Sequence, residues 1–319
     1  MDFATVFIIA VTTARMIFPG LPTTAPLPGA LKNTGVPAVR SLNIDLVSSA
    51  KADRLSKALV DVPEGLKVTS PIQLLVGLTQ TVKAADRPDA KLKFVVKTYW
   101  GSANEIPQGQ PRVSMSNEAA TAATSDKLPG ASYAYWSPEL AKPLEEDAAA
   151  SGTYKLTTNY CGGTSVTLEP DQDFLAPIDL VGIAKKADLG KPIKITWKTV
   201  PRALAYLVTA TGGSALESIS WTSSADPDAA RGIEDRPLTR AEIASCVEKK
   251  VLLAPHTVTC TIPAAVFKGS KSVFVNVTAF GPDKVQVADG VETRVIVRST
   301  AGIPVFGTSY KPLVEEEEK

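Results

Sequence analysis

The residues of this chain that are suited to ligand or metal chemistry lie in a few short stretches, and one of these is an acidic stretch with the features of a loop. Asp226, Asp228, Glu234 and Asp235 fall within ten residues of one another. Carboxylate oxygens are hard ligands of the kind that Ca²⁺ prefers. Their spacing does not match an EF-hand loop, so the sequence predicts a weak calcium site here and indicates no other cofactor.

The sequence contains no arrangement typical of a catalytic centre. A single histidine, His256, excludes a metal site built from several histidines of one chain, and no Gly-x-Ser-x-Gly nucleophile motif is present. Neighbouring carboxylates such as Asp171 and Asp173 are suited to glycoside hydrolysis, but aspartates in loops are more often turn formers. We therefore predict no catalytic residues and a protein that is not an enzyme. A hydrolase that uses loop carboxylates is the least favoured alternative.

An aromatic cluster precedes Pro138 and is the best candidate for a ligand-binding surface. Tyr133 and Tyr135 share one face if this stretch is extended, because side chains alternate along a strand. Together with Trp136 they are suited to stacking against a sugar ring or a protein partner. The alternative is that the three rings fill a core or cover a loop.

The three cysteines cannot all be paired within one chain. Cys246 and Cys260 enclose a loop of about 15 residues, for which a disulfide contributes about 3 kcal/mol in the chain-entropy model. The alternative is that these two residues and Cys161 are reduced, buried thiols. No Cys-x-x-Cys spacing is present, which argues against zinc and thioredoxin chemistry.

Length and composition predict a folded, all-β protein. The chain has 319 residues with 44% hydrophobic and 21% charged residues, which is enough for packed cores and favours two domains. We expect two antiparallel β-sandwich-like domains, at residues 37–187 and 188–303, with one short helix inserted in the second. Residues 1–36 are expected to be a hydrophobic and then proline-rich segment or arm, and residues 304–319 an acidic tail. The net charge of +1 and the lack of a basic stripe argue against nucleic acid as a partner.

The clearest strand pattern lies at residues 193–211. Ile193, Ile195 and Trp197 alternate with polar residues, which is typical of a strand with one buried face. A turn at Pro201 leads to a second apolar stretch that carries Tyr206. This arrangement resembles the B and C strands of fibronectin type III domains. The alternative is an ordinary hydrophobic hairpin.

A capping box marks the inserted helix. Thr239 and Glu242 have the Thr-x-x-Glu spacing in which the two side chains cap each other's backbone amides. A helix of about ten residues is expected to follow, because Lys249 and Lys250 suit the negative end of the helix dipole.

The first 39 residues are hydrophobic and then rich in proline. Residues 3–14 are apolar but too few to span a bilayer, so no transmembrane span is expected. They have the length of a signal peptide, although Asp2 replaces a basic residue and no clear cleavage site follows. Export is the favoured interpretation; a retained hydrophobic arm or a start-site artefact are the alternatives. The proline-rich residues 18–39 are either a linker or an arm that docks on a neighbour.

Several phrases of the sequence resemble a family of uncharacterised proteobacterial proteins that are expected to be exported. The phrases are Tyr99-Trp100-Gly101, Gly109-Gln110-Pro111, Trp221-Thr222-Ser223-Ser224 and those at residues 238–243, 251–255, 259–263 and 279–281. The resemblance covers most of residues 36–300. Family members have a cysteine directly after Tyr-Trp-Gly, where this chain has Ser102. The resemblance implies a two-domain β protein and no particular activity.

The functional prediction follows from these features. We expect an extracellular, cell-surface or periplasmic structural protein that forms a homo-oligomer or packs onto a cell-surface layer. Its mechanism would be shape-complementary packing, with exchange of an arm or an edge strand between subunits. The alternative is a binding module for a glycan or another extracellular ligand that uses Tyr133, Tyr135 and Trp136.

Overall fold

A computed structural model describes residues 5–16, 37–77, 94–116, 131–136, 144–184 and 186–308. Its strands are β1 (Thr5–Met16), β2 (Val39–Ser48), β3 (Ala58–Asp61), β4 (Ile72–Gln73), β5 (Leu75–Gly77), β6 (Phe94–Trp100), β7 (Arg112–Ser116), β8 (Ser132–Trp136), β9 (Gly152–Thr158), β10 (Thr164–Leu168), β11 (Lys186–Ala187), β12 (Ile193–Thr196), β13 (Ala205–Ser214), β14 (Glu217–Thr222), β15 (Thr259–Ile262), β16 (Ser272–Phe280), β17 (Lys284–Ala288) and β18 (Val291–Gly307). The helices are α1 (Pro227–Ala230) and α2 (Arg240–Glu248).

A twelve-stranded sheet dominates the molecule. Its order is β5-β8-β2-β1-β18-β16-β13-β14-β6-β7, and β11 and β17 also pair with β18. Most neighbours are antiparallel, whereas β1 and β11 run parallel to β18, and β6 runs parallel to β14. Parallel neighbours need long connections, which is why these partners are far apart in the sequence. The first strand of the chain therefore lies in the middle of the large sheet.

Two smaller sheets pack against the inner face of the large sheet. One has the order β10-β9-β3-β4 and the other pairs β12 with β15. Phe7, Ile44 and Val295 of the large sheet share one hydrophobic core with Tyr154 and Ile195 of the smaller sheets. The predicted all-β, sandwich-like fold is confirmed.

The capping box and the helix it predicts are also present. Thr239 Oγ1 accepts the Glu242 N–H at 3.2 Å, and Glu242 Oε2 accepts the Thr239 N–H at 2.7 Å. Ile243 of α2 packs in a second hydrophobic cluster with Leu207 of β13 and Phe280 of β16. The helix therefore covers the outer face of the large sheet where these two strands lie.

β12 and β13 are both strands, but they do not form a hairpin. β12 pairs with β15 in a small sheet, whereas β13 pairs with β14 and β16 in the large sheet. The rings of Trp197 and Tyr206 meet between the two layers, with centroids 5.4 Å apart. The hairpin alternative is wrong because β12 and β13 belong to different sheets and do not pair with each other. Trp197 and Tyr206 therefore enter the same core from opposite layers. The fibronectin type III resemblance stays a prediction.

The predicted segments meet in one sheet and one core. Strands from 37–187 and from 188–303 both contribute to the large sheet, and side chains of both line the main core. Segment 1–36 supplies β1, and segment 304–319 supplies the last residues of β18. Residues 17–36 and 309–319, with the proline-rich part of the arm and the acidic part of the tail, lie outside the described residues. The division into folding units stays a prediction.

Candidate functional site

The side chains of β1 alternate between fully buried and half-buried positions over most of its length. Phe7, Ile9 and Val11 point into the main core, between β2 on one side and β18 on the other. Val6 and Ile8 lie on the outer face and are half-buried. Because both faces carry apolar residues, the sequence of β1 is a continuous hydrophobic run rather than an alternating pattern.

Backbone pairing holds both edges of β1. Its twelve residues pair in parallel with residues 291–302 of β18, and ten of them pair in antiparallel with residues 39–48 of β2. Within the described part of the large sheet, β1 is the strand that joins β2, β8 and β5 to β18. Removing it would leave two rows of backbone N–H and C=O groups unpaired along a slot beside the core, which is unfavourable.

Polar contacts fix the two ends of β1. Thr5 Oγ1 is hydrogen-bonded to Ser48 Oγ at 2.9 Å near the start of the strand. Near its end, Arg15 Nη1 donates to Asp179 Oδ1 at 2.5 Å. A shift of one residue would turn the apolar inner face of a strand outward and break such contacts. The slot between β2 and β18 is therefore specific for this strand in this register.

β1 and β2 are antiparallel neighbours joined by a connection much longer than their geometry needs. Ala14 pairs with Val39, so the ends of the two strands lie side by side. A turn of about two to five residues suffices for such a pair, but 20 residues separate Met16 from Pro37, four of them proline. A segment of that length spans about 60 Å when extended as polyproline II. The connection is therefore much longer than a hairpin between these two strands requires.

The predicted aromatic platform is divided between the two faces of β8. Tyr133 and Tyr135 lie on the outer face, where Tyr135 is 44% exposed. Trp136 lies on the inner face and packs against the main core. The structure brings the two tyrosines together and separates Trp136 from them.

The tyrosines belong to two rows of side chains that cross the outer face of the large sheet. Pairing between strands aligns Tyr135 with Asp45 and Asp45 with Ile8. The row continues from Ile8 to Arg294 and from Arg294 to Val285. The second row lies beside it and consists of Tyr133, Val47, Val6, Glu292 and Val287. We call these ten residues the outer rows. Asp45 is one of them, and burial of its carboxyl group raises its pKa.

The acidic residues predicted to bind calcium make separate contacts. Asp226 caps α1 by accepting the N–H of Asp228 at 3.0 Å. Asp228 pairs with Arg112 at 2.7 Å, and this hydrogen bond lowers the pKa of Asp228. Among the residues that the structure describes, no three His, Cys, Asp or Glu side chains are grouped so that they could hold a metal ion. Calcium binding stays a prediction without support from these contacts.

Glu234 differs from its acidic neighbours because its side chain turns inward. Its Oε1 accepts a hydrogen bond from Thr278 Oγ1. Burial raises the pKa of Glu234, and the hydrogen bond from Thr278 opposes that shift. Asp235, the next residue, is exposed. The two carboxylates therefore do not converge on one point.

The cysteines are free thiols, so the predicted bridge between Cys246 and Cys260 is absent. Cys246 lies on α2 and packs against the hydrophobic cluster under that helix, whereas Cys260 belongs to the main core. The two thiols cannot meet because they lie in separate clusters. Burial raises the pKa of Cys260 to about 12. Cys161 is half-buried, and the alternative of reduced thiols describes the structure.

The residues considered for catalysis make contacts that stabilise loops. Asp171 Oδ2 accepts a hydrogen bond from Arg240 Nη2 at 2.5 Å. Asp173 Oδ1 accepts the N–H of Ala150 at 2.7 Å. His256 is exposed in the segment before β15. Each of the two aspartates therefore holds its own loop to a distant part of the chain.

Sequence reasoning missed a junction at the end of β6, where three phrases of the family resemblance meet. The side-chain amide of Gln110 bonds both the N–H and the C=O of Trp100, each at 2.9 Å. Trp221 Nε1 donates to the C=O of Gly101 at 3.0 Å. The signal for this junction is the pair of glycine phrases, because Gly101 and Gly109 have φ angles of 84° and 85° that favour glycine.

Ser102, which directly follows the Tyr-Trp-Gly phrase, extends this junction to a second sheet. Its Oγ accepts the N–H of Thr261 of β15 at 2.9 Å. Ala103 N–H donates to the C=O of Thr261 at 3.3 Å. The contacts join backbone groups of neighbouring layers, so this junction holds the architecture together.

These features define a class: an all-β, sandwich-like protein whose first strand completes the middle of its main sheet. No model of a protein family matches the chain. A search of curated proteins found no match either. In the described ranges, no helix combines the length and the apolar character that a membrane crossing requires.

Proposed function

We propose that this protein is a structural protein that assembles with copies of itself, and that β1 of one copy completes the sheet of the next. The observation that supports this proposal is the position of β1. It lies between β2 and β18, at the end of a 20-residue connection to the strand beside it. Such a strand can fill its own slot or the same slot of a neighbour.

Exchange of an identical element conserves the contacts of the closed molecule. Phe7, Ile9 and Val11 would be buried in the neighbour's core as they are in their own. The balance between the two forms then depends on the freedom that the molecules lose on association and on the constraint on the connection. Covalent linkage through a connection of 20 residues gives β1 an effective concentration on the order of 1 mM at its own slot. Assembly is favoured where chains are crowded to a similar concentration, as in a surface layer.

The geometry of exchange allows closed dimers and rings as well as extended assemblies. The donated strand and the slot that accepts it are different surfaces of the same molecule. Contacts of this kind give rings when the rotation between copies closes and filaments when it does not. Each copy donates one strand and accepts one, so no copy needs to retain an empty slot except at the end of a filament.

The proposed setting is the cell surface, the periplasm or the extracellular medium. The resemblance to an exported family supports this setting, as does a composition rich in Ala, Val, Thr, Pro and Ser. The proposed partners are further copies of the chain or other components of the cell surface. Fractionation of the source cells, followed by detection of the untagged protein, tests the setting independently of assembly.

A shortened connection tests strand exchange. Replacing residues 17–36 with Asn-Gly, a two-residue hairpin turn, should keep β1 in its own molecule. We expect this variant to be a monomer, and the native chain to form larger particles as its concentration rises. Size-exclusion chromatography with light scattering measures the mass of each against the 33.6 kDa of one chain.

The matched control replaces residues 17–36 with a Gly/Ser segment of the same length. This variant retains the reach of the connection and should assemble as the native chain does. Assembly of the Asn-Gly variant to the same particle mass would contradict strand exchange through a long connection, because the two-residue turn favours the slot beside the chain's own β2. A native chain that stays monomeric up to millimolar concentration would contradict self-assembly itself.

A second candidate function is binding of a glycan or another extracellular ligand. The observation that favours it is the position of Tyr133 and Tyr135 on one exposed face, among the outer rows. A glycan array probed with the native chain and with the Tyr133→Ala/Tyr135→Ala variant tests it. Trp136→Ala is the control, because this ring packs on the inner face. Equal binding by the native chain and the double variant would remove this function.

A further inference from the structure

A cavity of about 420 Å³ opens where β18 ends and the chain leaves the large sheet. The turn after β11, the turn before β16 and the end of β18 line it. Three of the lining residues are lysines: Lys191, Lys268 and Lys271. Its volume falls within the range of about 300–1,000 Å³ that is usual for ligand sites.

The three lysines outnumber the single carboxylate that lines this cavity, so its lining carries a net positive charge. Among the described residues, Lys191, Lys268 and Lys271 take part in no ion pair. Asp188 also lines the cavity, but its Oδ1 accepts the N–H of Gly190 at 3.0 Å and so stabilises its own turn. A concave surface with an excess of one sign of charge attracts ions of the opposite sign.

Ser270 provides a second and independent indication of an anionic ligand. It lines the cavity and is only 8% exposed. Its Oγ is buried and has no hydrogen-bond partner in the part of the chain that the structure describes. Buried hydroxyl groups are almost always hydrogen-bonded. A hydroxyl can donate to a carboxylate oxygen, which is also the acceptor that lysine ammonium groups favour.

We infer that this cavity binds carboxylate groups, and that its occupant is the acidic C-terminal run of this chain, Glu residues 315–318. Thr308 lines the cavity, and its N–H donates to the C=O of Ala187 at 3.1 Å, which fixes the point from which the tail departs. The acidic run begins seven residues further on. Seven residues span up to about 25 Å, enough to return to the cavity. The tail of a second copy carries the same chemistry.

Zero-length carbodiimide cross-linking of the full-length chain tests this inference, because it joins only carboxylates and amines that are in contact. Peptide mass spectrometry should find residues 315–318 linked to Lys191, Lys268 or Lys271. Three exposed lysines elsewhere, Lys51, Lys155 and Lys194, serve as internal controls. The links to the cavity should disappear at about 1 M salt, where charges are screened beyond about 3 Å.

A mixture of ¹⁴N- and ¹⁵N-labelled chains identifies which tail binds. Links within one isotope alone show that the chain's own tail occupies the cavity, and mixed links show the tail of a second copy; both outcomes support the inference. An excess of free tetraglutamate peptide should suppress the links. Links spread equally over the control lysines, or links that persist at high salt, would overturn it. No residue of β1 takes part, so the result is independent of strand exchange.

Discussion

Replacing Ile9 with alanine is expected to lower the free energy of unfolding by about 3–4 kcal/mol. Ile9 is fully buried at the centre of β1, where it pairs with Ile44 of β2 and Val295 of β18. The change removes three carbons, whose transfer from water contributes about 0.8 kcal/mol each, or about 2.4 kcal/mol together. The cavity left between well-packed neighbours adds about 1 kcal/mol.

Urea unfolding of the monomeric fraction measures this effect. With a slope of about 3 kcal/mol per molar urea, the midpoint should fall by about 1 M. Ile8→Ala is the matched control, because it removes the same three carbons from the half-buried outer face of the same strand. Its effect should be about half as large, since less apolar surface is withdrawn from water.

Two outcomes would refute the reasoning. An unchanged midpoint for Ile9→Ala would mean that β1 does not lie in the sheet. Equal shifts for Ile8→Ala and Ile9→Ala would mean that β1 lacks a distinct buried face. Either result would remove the structural basis of strand exchange.

Three further predictions concern other parts of the molecule. Glu234→Gln should raise the free energy of unfolding at pH 7 but not near pH 3, as measured by thermal unfolding. Burial raises the pKa of Glu234 in the native protein. The native protein therefore loses stability as the pH rises from about 4, the pKa of an unfolded glutamate, through the raised pKa. In urea unfolding, Trp136→Ala should lower the free energy of unfolding by at least about 1 kcal/mol, and Tyr135→Ala by less than about 0.5 kcal/mol. The effects differ because only Trp136 packs on the core. Cys260 should react with a thiol reagent only after unfolding, and more slowly than Cys161, because it is buried and its pKa is raised to about 12.

Each of these has a clear contrary result. A difference between native chain and Glu234→Gln that is independent of pH would contradict the burial of that carboxylate. Equal effects of the two aromatic substitutions would contradict their placement on opposite faces of β8. Labelling of Cys260 at the rate of an exposed thiol would contradict its place in the core.

Patterns confined to a few residues were predictable from the sequence. The alternation of Ile193 and Ile195 indicates β12, because a half-buried strand has a period of two. The capping box at Thr239 and Glu242 indicates the start of α2, because both hydrogen bonds are made within four residues. Each of these signals depends on neighbours in the chain.

The role of the first strand could not be predicted in this way. Thr5 pairs with Val291 at the other end of the chain, and no local pattern encodes that distance. Val6 and Ile8 on the outer face are apolar like the residues of the inner face, so the run also has the character of a signal peptide. The sequence of the run therefore does not reveal the two strands between which it lies.

The candidate sites show the same limit. The alternation of Tyr133 and Tyr135 correctly predicted a shared face, whereas Trp136 follows directly and therefore points the other way. The acidic residues at 226–235 are close in the sequence, but their side chains make separate contacts. Asp228 turns to Arg112 and Glu234 turns to Thr278, partners from distant strands that the sequence does not reveal.

A disulfide between β1 and β2 decides whether an assembled copy holds its own first strand or its neighbour's. Ala10 pairs with Asn43 across these strands, so the variant Ala10→Cys/Asn43→Cys should form a bridge with ordinary geometry. Assembled particles, oxidised and analysed by non-reducing denaturing electrophoresis, should give a ladder of covalently linked multimers, and each single-cysteine variant should not. Particles that yield only internally bridged monomers would show that β1 stays in its own chain and would contradict strand exchange.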